Sequence, residues 1–184
     1  MLTVSEKIYT VTEYFELEKT SEVKHEFVEG HLIEMPGEKK IANRIAGSLY
    51  ALLLQLLNQE IFDVYFQDVR LSTVKGKRYR YLDVMVVPTI DDEDEYTVHQ
   101  AVLVAEILSP TTEKTDRNEK LKEYSKIPTL QYYLLISQEE PVIELYRRNG
   151  AIFEYLFFTD KTERIDLPFF DVSFTLNDIY KKIL

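Results

Sequence analysis

The sequence predicts an α/β fold, a mixed β-sheet flanked by helices with an antiparallel hairpin near the C-terminus. Three observations carry this prediction. Segments of helical periodicity are interleaved with short apolar runs of strand type. Two of those runs, Ala101–Leu108 and Leu130–Ile136, are almost continuously apolar, the pattern of strands covered on both faces. Asn149-Gly150, between Val142–Arg148 and Ala151–Phe158, is the strongest short hairpin signal in the chain.

Each element follows from local chemistry. Thr10–Lys19 reads as a short helix, with Thr10 or Thr12 as its cap and acidic residues in its early turns. His25–Met35 carries Phe27, Val28, Leu32 and Ile33 around Glu29-Gly30 and reads as a hairpin, after which Pro36-Gly37 breaks the chain. In Ile41–Asn58, Ile41, Ile45, Leu49, Leu52, Leu53, Leu56 and Leu57 form one broad apolar stripe, so this is a core helix. Val64–Ser72 reads as a strand, Lys75–Arg80 as a basic turn around Gly76, and Tyr81–Val87 as a further strand. Asp91–Glu95 is an acidic, solvated loop. Thr115 or Asp116 caps a helix that runs to about Lys126 and is ended by Pro128. Phe174–Ile183 reads as a closing helix. With only five glycines and six prolines, the elements are expected to form one domain over residues 1–184 with short connections.

Composition narrows the function. At 184 residues, 45% hydrophobic and 12% aromatic, the chain is neither disordered nor a collagen-like or disulfide scaffold. Cysteine is absent, which excludes disulfides, thiolate metal sites and a cysteine nucleophile. The longest strongly apolar patch, Leu49–Leu57, falls far short of the roughly 20 residues of a membrane helix. The acidic N-terminus lacks a signal-peptide core, so a soluble cytoplasmic protein without membrane partners is expected. The formal charge is −10, from 22 Lys and Arg against 32 Asp and Glu. Such a field repels nucleic acid, so any activity on DNA or RNA requires a local basic patch or bound cations.

Two residues break the local rules. Glu106 interrupts VLVAEIL and Asp83 interrupts YLDVMVV. An unpaired ion inside a buried strand costs several kcal/mol, so each must be protonated, paired or metal-bound. Strands that follow one another are often neighbours, which brings a shared cation or a structural ion pair into view. Carboxylate oxygens suit Mg²⁺ or Mn²⁺, whereas His25, His31 and His99 are scattered without zinc-like spacing. A cation on two carboxylates polarises a phosphate and activates water, and a nearby lysine orients that water or offsets developing charge. Lys120 is the candidate, spaced with Asp116 and Tyr124 at i, i+4 and i+8 along one helix face.

The pattern Asp83-Val84, then Val104-Ala105-Glu106-Ile107-Leu108-Ser109-Pro110-Thr111-Thr112, then Asp116, Lys120 and Tyr124, resembles the Uma-two family of restriction endonucleases in the PD-(D/E)XK nuclease superfamily. The His25–Met35 hairpin, the helix from Ile41 and the Gln131–Ile136 strand also fit, so the match covers most of the chain. The resemblance implies a restriction-endonuclease-like core, with the active site where central strands diverge, and Mg²⁺-dependent hydrolysis of DNA phosphodiesters. Carried over, Asp83 and Glu106 are metal ligands and Lys120 is the catalytic lysine, moved to the helix because Leu108 holds the usual strand-lysine position. Glu29 is implied as an accessory metal ligand. Glu26 competes with it, because the two have opposite parity on a strand. The chain departs from the family pattern at Leu82, where a proline is usual, at Ala42, where a histidine is common, and at Ser137, where an aspartate is common.

Lys75, Lys77, Arg78 and Arg80 are the expected phosphate contacts, with a solubilising basic turn as the other reading. A homodimer is expected from the surplus of apolar and aromatic residues over Ile152–Phe158 and from the two-fold symmetry of double-strand cleavage. Two further readings stand beside the DNA endonuclease: a catalytically inactive nuclease-fold dimer acting as an interaction protein, and a hydrolase of RNA or another phosphate ester.

Overall fold

The computed structural model describes residues 3–35, 37–89 and 94–184. The first helix, α1 (Val11–Glu18), is set by a reciprocal cap: the Glu13 N–H donates to Thr10 Oγ1 (3.2 Å) and the Thr10 N–H donates to the Glu13 carboxylate (2.8 Å). Strands β1 (His25–Val28) and β2 (His31–Glu34) form the expected hairpin. Its two loop residues, Glu29 (φ 51°) and Gly30 (φ 96°), both have positive φ, as the tightest hairpin turn compatible with strand twist demands. The long helix α2 (Lys40–Leu56) buries Ala42, Ile45, Ala46, Leu49 and Leu53 against the main sheet.

Eleven further strands and a cluster of short helices follow among the described residues. They are β3 (Phe62–Phe66), β4 (Arg70–Val74), β5 (Arg78–Tyr81), β6 (Val84–Pro88), β7 (Thr97–Val98) and β8 (Leu103–Leu108). A helical segment comes next: α3 (Glu113–Thr115), a π-helical turn (Asp116–Lys120) and α4 (Leu121–Tyr124). The chain ends with β9 (Tyr132–Ser137), β10 (Ile143–Asn149), β11 (Ile152–Phe158), β12 (Arg164–Leu167), β13 (Val172–Thr175) and α5 (Leu176–Tyr180).

The main sheet is six-stranded and mixed, in the order β11-β10-β9-β8-β6-β3. Only β8 and β9 pair in parallel there, and the helical segment between them is the crossover that a parallel pair requires. A second sheet runs β2-β1-β5-β4-β7, and β12 and β13 form a small third. On the main sheet, alternate residues face two cores. Leu103, Ala105 and Ile107 pack towards α2 and α5, while Val104 and Leu108 pack towards Tyr124, Ile127 and Leu130 on the crossover side. Among the described residues no helix is long and apolar enough to cross a membrane.

Mixed sheet, flanking helices and C-terminal hairpin are all present, and four details differ from the sequence expectation. Val64–Ser72 is two strands, because the chain leaves the main sheet at Gln67 (φ 62°) and enters the second sheet at Arg70. Tyr81–Val87 is likewise split at Leu82-Asp83, so β5 and β6 lie in different sheets. These crossings are adjacent: the Gln67 N–H donates to the Asp83 carbonyl (3.2 Å). In the C-terminal hairpin the loop is Gly150-Ala151, since Asn149 pairs with Ile152 and Gly150 (φ 59°) takes the first loop position. Finally, part of Phe174–Ile183 is strand, with β13 ending at Thr175, which caps α5. The acidic stretch Asp91–Glu95 lies outside the described residues over 91–93, as does Pro36 of the predicted break.

Candidate active site

Topology delivers the site. Antiparallel pairing of Val84 with Ala105 sets Asp83 opposite Glu106, at the point where the two sheets part. By alternation Glu106 shares its face of β8 with Val104 and Leu108, towards the crossover helices. Asp83 accepts the Ile107 N–H through Oδ2 (2.6 Å). It also forms part of the wall of a cleft of about 820 Å³, together with Lys24, Glu38, Lys40, Arg44 and Gln67.

On the crossover, Lys120 points its ammonium at three carboxylates: Glu106 Oε1 (2.8 Å), Asp116 Oδ1 (3.1 Å) and Glu26 Oε1 (3.5 Å). Tyr124 donates its hydroxyl to Glu106 Oε1 (3.2 Å). Asp116, Lys120 and Tyr124 therefore share one side of the segment as the spacing predicts, although Asp116–Lys120 is wound as a π-helical turn. Such wide turns recur at functional sites. Here the Asp116 carbonyl accepts a hydroxyl bond from Tyr133 (3.1 Å).

The electrostatics follow from burial. Glu106 is pushed up to about 7, by burial first, with Asp116 and Glu26 adding to the rise and Lys120 opposing it. Burial also raises Asp83 well above its ordinary value, helped by a carboxyl–carboxyl hydrogen bond with Glu38 and by the charge of Glu106. Burial disfavours the Lys120 ammonium, but Glu106, Glu26 and Asp116 outweigh it and hold the lysine charged. Behind Glu26 stands a second ionic layer. Arg80, fully buried, donates to Glu26 Oε2 (2.7 Å) and to Glu123 Oε2 (2.8 Å), and Arg78 also donates to Glu123 Oε2 (2.8 Å).

The structure thus brings Glu106, Lys120, Asp116 and Tyr124 together, with Asp83 opposite Glu106 at the start of the neighbouring strand. It does not bring Glu29 to them. Glu29 sits in the positive-φ turn, exposed, and binds Arg78 through Oε1 (2.6 Å), while the strand residue Glu26 turns inward instead. The turn decides this: Glu29 is a loop residue at positive φ, outside the strand alternation that turns Glu26 inward. The four basic residues expected at phosphates are placed apart from this cluster. Arg80 is sealed in the ion network, Arg78 is committed to Glu29 and Glu123, and Lys75 and Lys77 lie exposed at the far end of β5. From Lys77 to Asp83 the strand rise spans roughly 15–20 Å. The cations on the cleft are Lys24, Lys40 and Arg44. For Lys40 and Arg44 the sequence signal is basic residues near a helix start, where acidic residues are usual.

The donor set fits a hard divalent cation. It consists of carboxylate oxygens, and the negative charges of Glu26, Asp83, Glu106 and Asp116 outnumber Lys120 and an Arg80 shared with Glu123. Glu26 Oε1 and Asp116 Oδ1 are buried and accept no hydrogen bond, facing the Lys120 ammonium as ion pairs only. Among the described residues no three acidic or histidine side chains close into a cage. Mg²⁺ binds in this open manner, through one or two carboxylates with several waters retained.

The mixed sheet thus parts around an acidic pair, with a buried lysine on the crossover. A crystal structure described as a putative nuclease belonging to DUF820, from Anabaena variabilis, superposes with a TM-score of 0.75 at 19% identity, covering 95% of this chain and 99% of that one. The two share a fold. Two uncharacterised proteins of Synechocystis sp. are similar in sequence. One is 33% identical over 153 residues (82% of this chain, 86% of the relative), the other 30% identical over 172 residues (92% and 90%). The chain belongs to the Uma2 family, described as "Putative restriction endonuclease", whose pattern matches residues 11–177.

Proposed function

We propose that this protein is a Mg²⁺- or Mn²⁺-dependent endonuclease that hydrolyses DNA phosphodiester bonds. The observation that carries the reading is the buried Glu106–Lys120 pair where the sheets part, with Asp83 opposite Glu106 and on a wall of the cleft. Asp83 and Glu106 would hold the cation. When bound, it polarises the scissile phosphate and makes water a stronger nucleophile. Lys120 orients that water and offsets the negative charge developing on the phosphate. Tyr124 fixes the Glu106 carboxylate through its hydroxyl, and Asp116 and Glu26 hold the ammonium in place. Arg80 acts one step further out, as a positioning residue that anchors Glu26.

Membership of the nuclease family supports the substrate class. The exposed Ile152, Tyr155 and Phe157 on the edge strand β11 support a homodimer, whose two sites would address both strands. The test is nicking of supercoiled plasmid with Mg²⁺ or Mn²⁺. Wild type should nick, Asp83→Ala and Glu106→Ala should lose at least a hundredfold in rate, and Lys120→Ala should lose comparably. Equal nicking by all four proteins would reject the assignment.

A further inference from the structure

The main sheet ends on β11, and among the described residues this edge is open while the other edges of the two larger sheets are blunted. Edge strands invite pairing with another chain, and proteins blunt them with charges, bulges, short length or cover. The β2 edge is covered by residues 3–5: the Ser5 N–H donates to the Leu32 carbonyl (2.9 Å) and the Glu34 N–H to the Thr3 carbonyl (3.0 Å). The β7 edge is two residues long, and β3 carries Asp63 and has Phe62 packed edge-on to Phe170 (5.0 Å). In contrast, β11 pairs with β10 over seven residues without a register shift and has neither Lys nor Pro. It leaves more than half of Ile152, Tyr155 and Phe157 exposed.

This edge is electrically quiet on a chain of charge −10. The one charged residue in β11, Glu154, pairs with Arg147 (2.9 Å). On β10, Glu144 pairs with Arg117 (2.7 Å), and Arg148 donates to the Leu130, Ser125 and Ile127 carbonyls with its guanidinium over the Phe153 ring. Two copies of this acidic molecule can therefore meet here without bringing bare charges together. The backbone supplies the contacts. In an antiparallel pair every second residue turns its N–H and C=O away from its partner. The Arg148 N–H donates to the Gln131 carbonyl (2.8 Å), just before β9, so Arg148 and its partner Phe153 form an outward pair. By alternation Phe153, Tyr155 and Phe157 present their N–H and C=O groups at the open edge.

We propose that β11 pairs with β11 of a second copy of this chain, antiparallel about a two-fold axis at Tyr155. The inference rests on the homodimer of the proposed reading and deepens it by fixing the interface and its register. Tyr155 is the midpoint of Ile152–Phe158, so this register pairs the whole strand with itself. It sets Tyr155 against Tyr155 of the partner subunit and Phe153 against Phe157 of the partner subunit, aromatic on aromatic. Centring one residue earlier would set two Glu154 side chains opposite each other, where like charges repel. Centring one residue later would leave Ile152 and Phe153 beyond the partner strand. In the proposed register the two six-stranded sheets join as one continuous sheet. Directly opposed residues of an antiparallel pair share a face, and the Tyr155 ring lies against Tyr146 (5.2 Å) on the crossover side. Both crossover segments, each with its Lys120, then lie on the same side of the joined sheet.

The chain has no cysteine, so single introduced cysteines report the register. Hydrogen-bonded antiparallel partners sit about 5.5 Å apart at Cα, within disulfide reach. Under a mild oxidant Tyr155→Cys should form a disulfide-linked dimer. Phe153→Cys and Phe157→Cys should each stay unlinked alone, because each lies four residues, roughly 13 Å along the strand, from its own copy. Mixed together, those two variants should link. Sedimentation velocity over a concentration series should give wild type the mass of two chains. Tyr155→Glu should weaken association by roughly a hundredfold or more, since two carboxylates would face each other at the axis. Its circular dichroism should match wild type, because Tyr155 is exposed. A monomeric wild type, a Tyr155→Glu variant that associates as wild type does, no link at Tyr155→Cys, or a link at Phe157→Cys alone overturns the inference. Should Tyr155→Glu misfold, the cysteine variants decide. Plasmid nicking by a monomer leaves the endonuclease reading standing without this interface. A wild-type dimer that links at Tyr155→Cys but does not nick rejects the endonuclease and leaves the interface standing.

Discussion

Glu106 shows how one residue's surroundings set its chemistry. It meets the Lys120 ammonium, yet burial in the strand pushes its carboxyl up to about 7, with Asp116 and Glu26 adding to the rise. The sign of the consequence is fixed. Glu106 titrates at about 7 in the native state, against an ordinary value of 4.5, so between those values the native state holds a proton that the unfolded chain has released. Stability must therefore fall as pH rises through that window. The raised carboxyl of Asp83 acts in the same direction. Urea denaturation in chelator should show wild type more stable at pH 5 than at pH 8, with the decline flattened in Glu106→Gln. Saturating Mg²⁺ should oppose the decline, because a bound cation offsets the ionised carboxylates as a proton would. Arg80 makes the complementary point. Its sequence setting, a basic turn, suggests solvent and phosphate, but its guanidinium is locked between Glu26 and Glu123.

Elements decide which carboxylate reaches the lysine. The β1–β2 hairpin carries both Glu26 and Glu29, and its two-residue turn determines that Glu26 faces inward. That register depends on Gly30. At φ 96° a side chain is strained, and a Cβ there would stand 2.7 Å from Ile8 Cγ2. Gly30→Ala should cost about 2 kcal/mol in chemical denaturation, from left-handed strain with the contact added. Alternation of side chains was legible in the sequence, so the choice between Glu26 and Glu29 was visible as a choice. Its resolution was not, because it depends on which residues occupy the turn. The crossover segment tells a similar story. The spacing of Asp116, Lys120 and Tyr124 predicted a shared face, and the π-helical turn that carries them left no mark in the periodicity.

At the scale of the molecule, two sheets exchange strands at one corner. The chain crosses between them at Gln67-Asp68 and again at Leu82-Asp83, and this corner is where the acidic pair meets the cleft. An excess of buried negative charge weakens the apo fold through repulsion, so a cation that binds only the native state should stabilise the whole chain by mass action. At a concentration a hundred times its Kd the gain is about 2.7 kcal/mol. A thermal melt with Mn²⁺ should therefore shift upward by several degrees for wild type and by none for Glu106→Ala. A nuclease-fold protein working only through protein contacts would show the same melt with and without the ion.

The sequence by itself determined the α/β class, the core helix α2, the buried strands β8 and β9, and the presence of two acidic residues where apolar ones belong. These are matters of local periodicity and of the cost of burying charge, which a single strand or helix already expresses. Only the tertiary structure decided that Val64–Ser72 and Tyr81–Val87 each divide between two sheets, that Glu26 and not Glu29 faces Lys120, and that Arg80 pairs with Glu26 while Lys24, Lys40 and Arg44 line the cleft beside Asp83. Those outcomes depend on contacts between residues far apart in the chain, and no periodicity within a segment encodes which distant partner will neutralise a given charge.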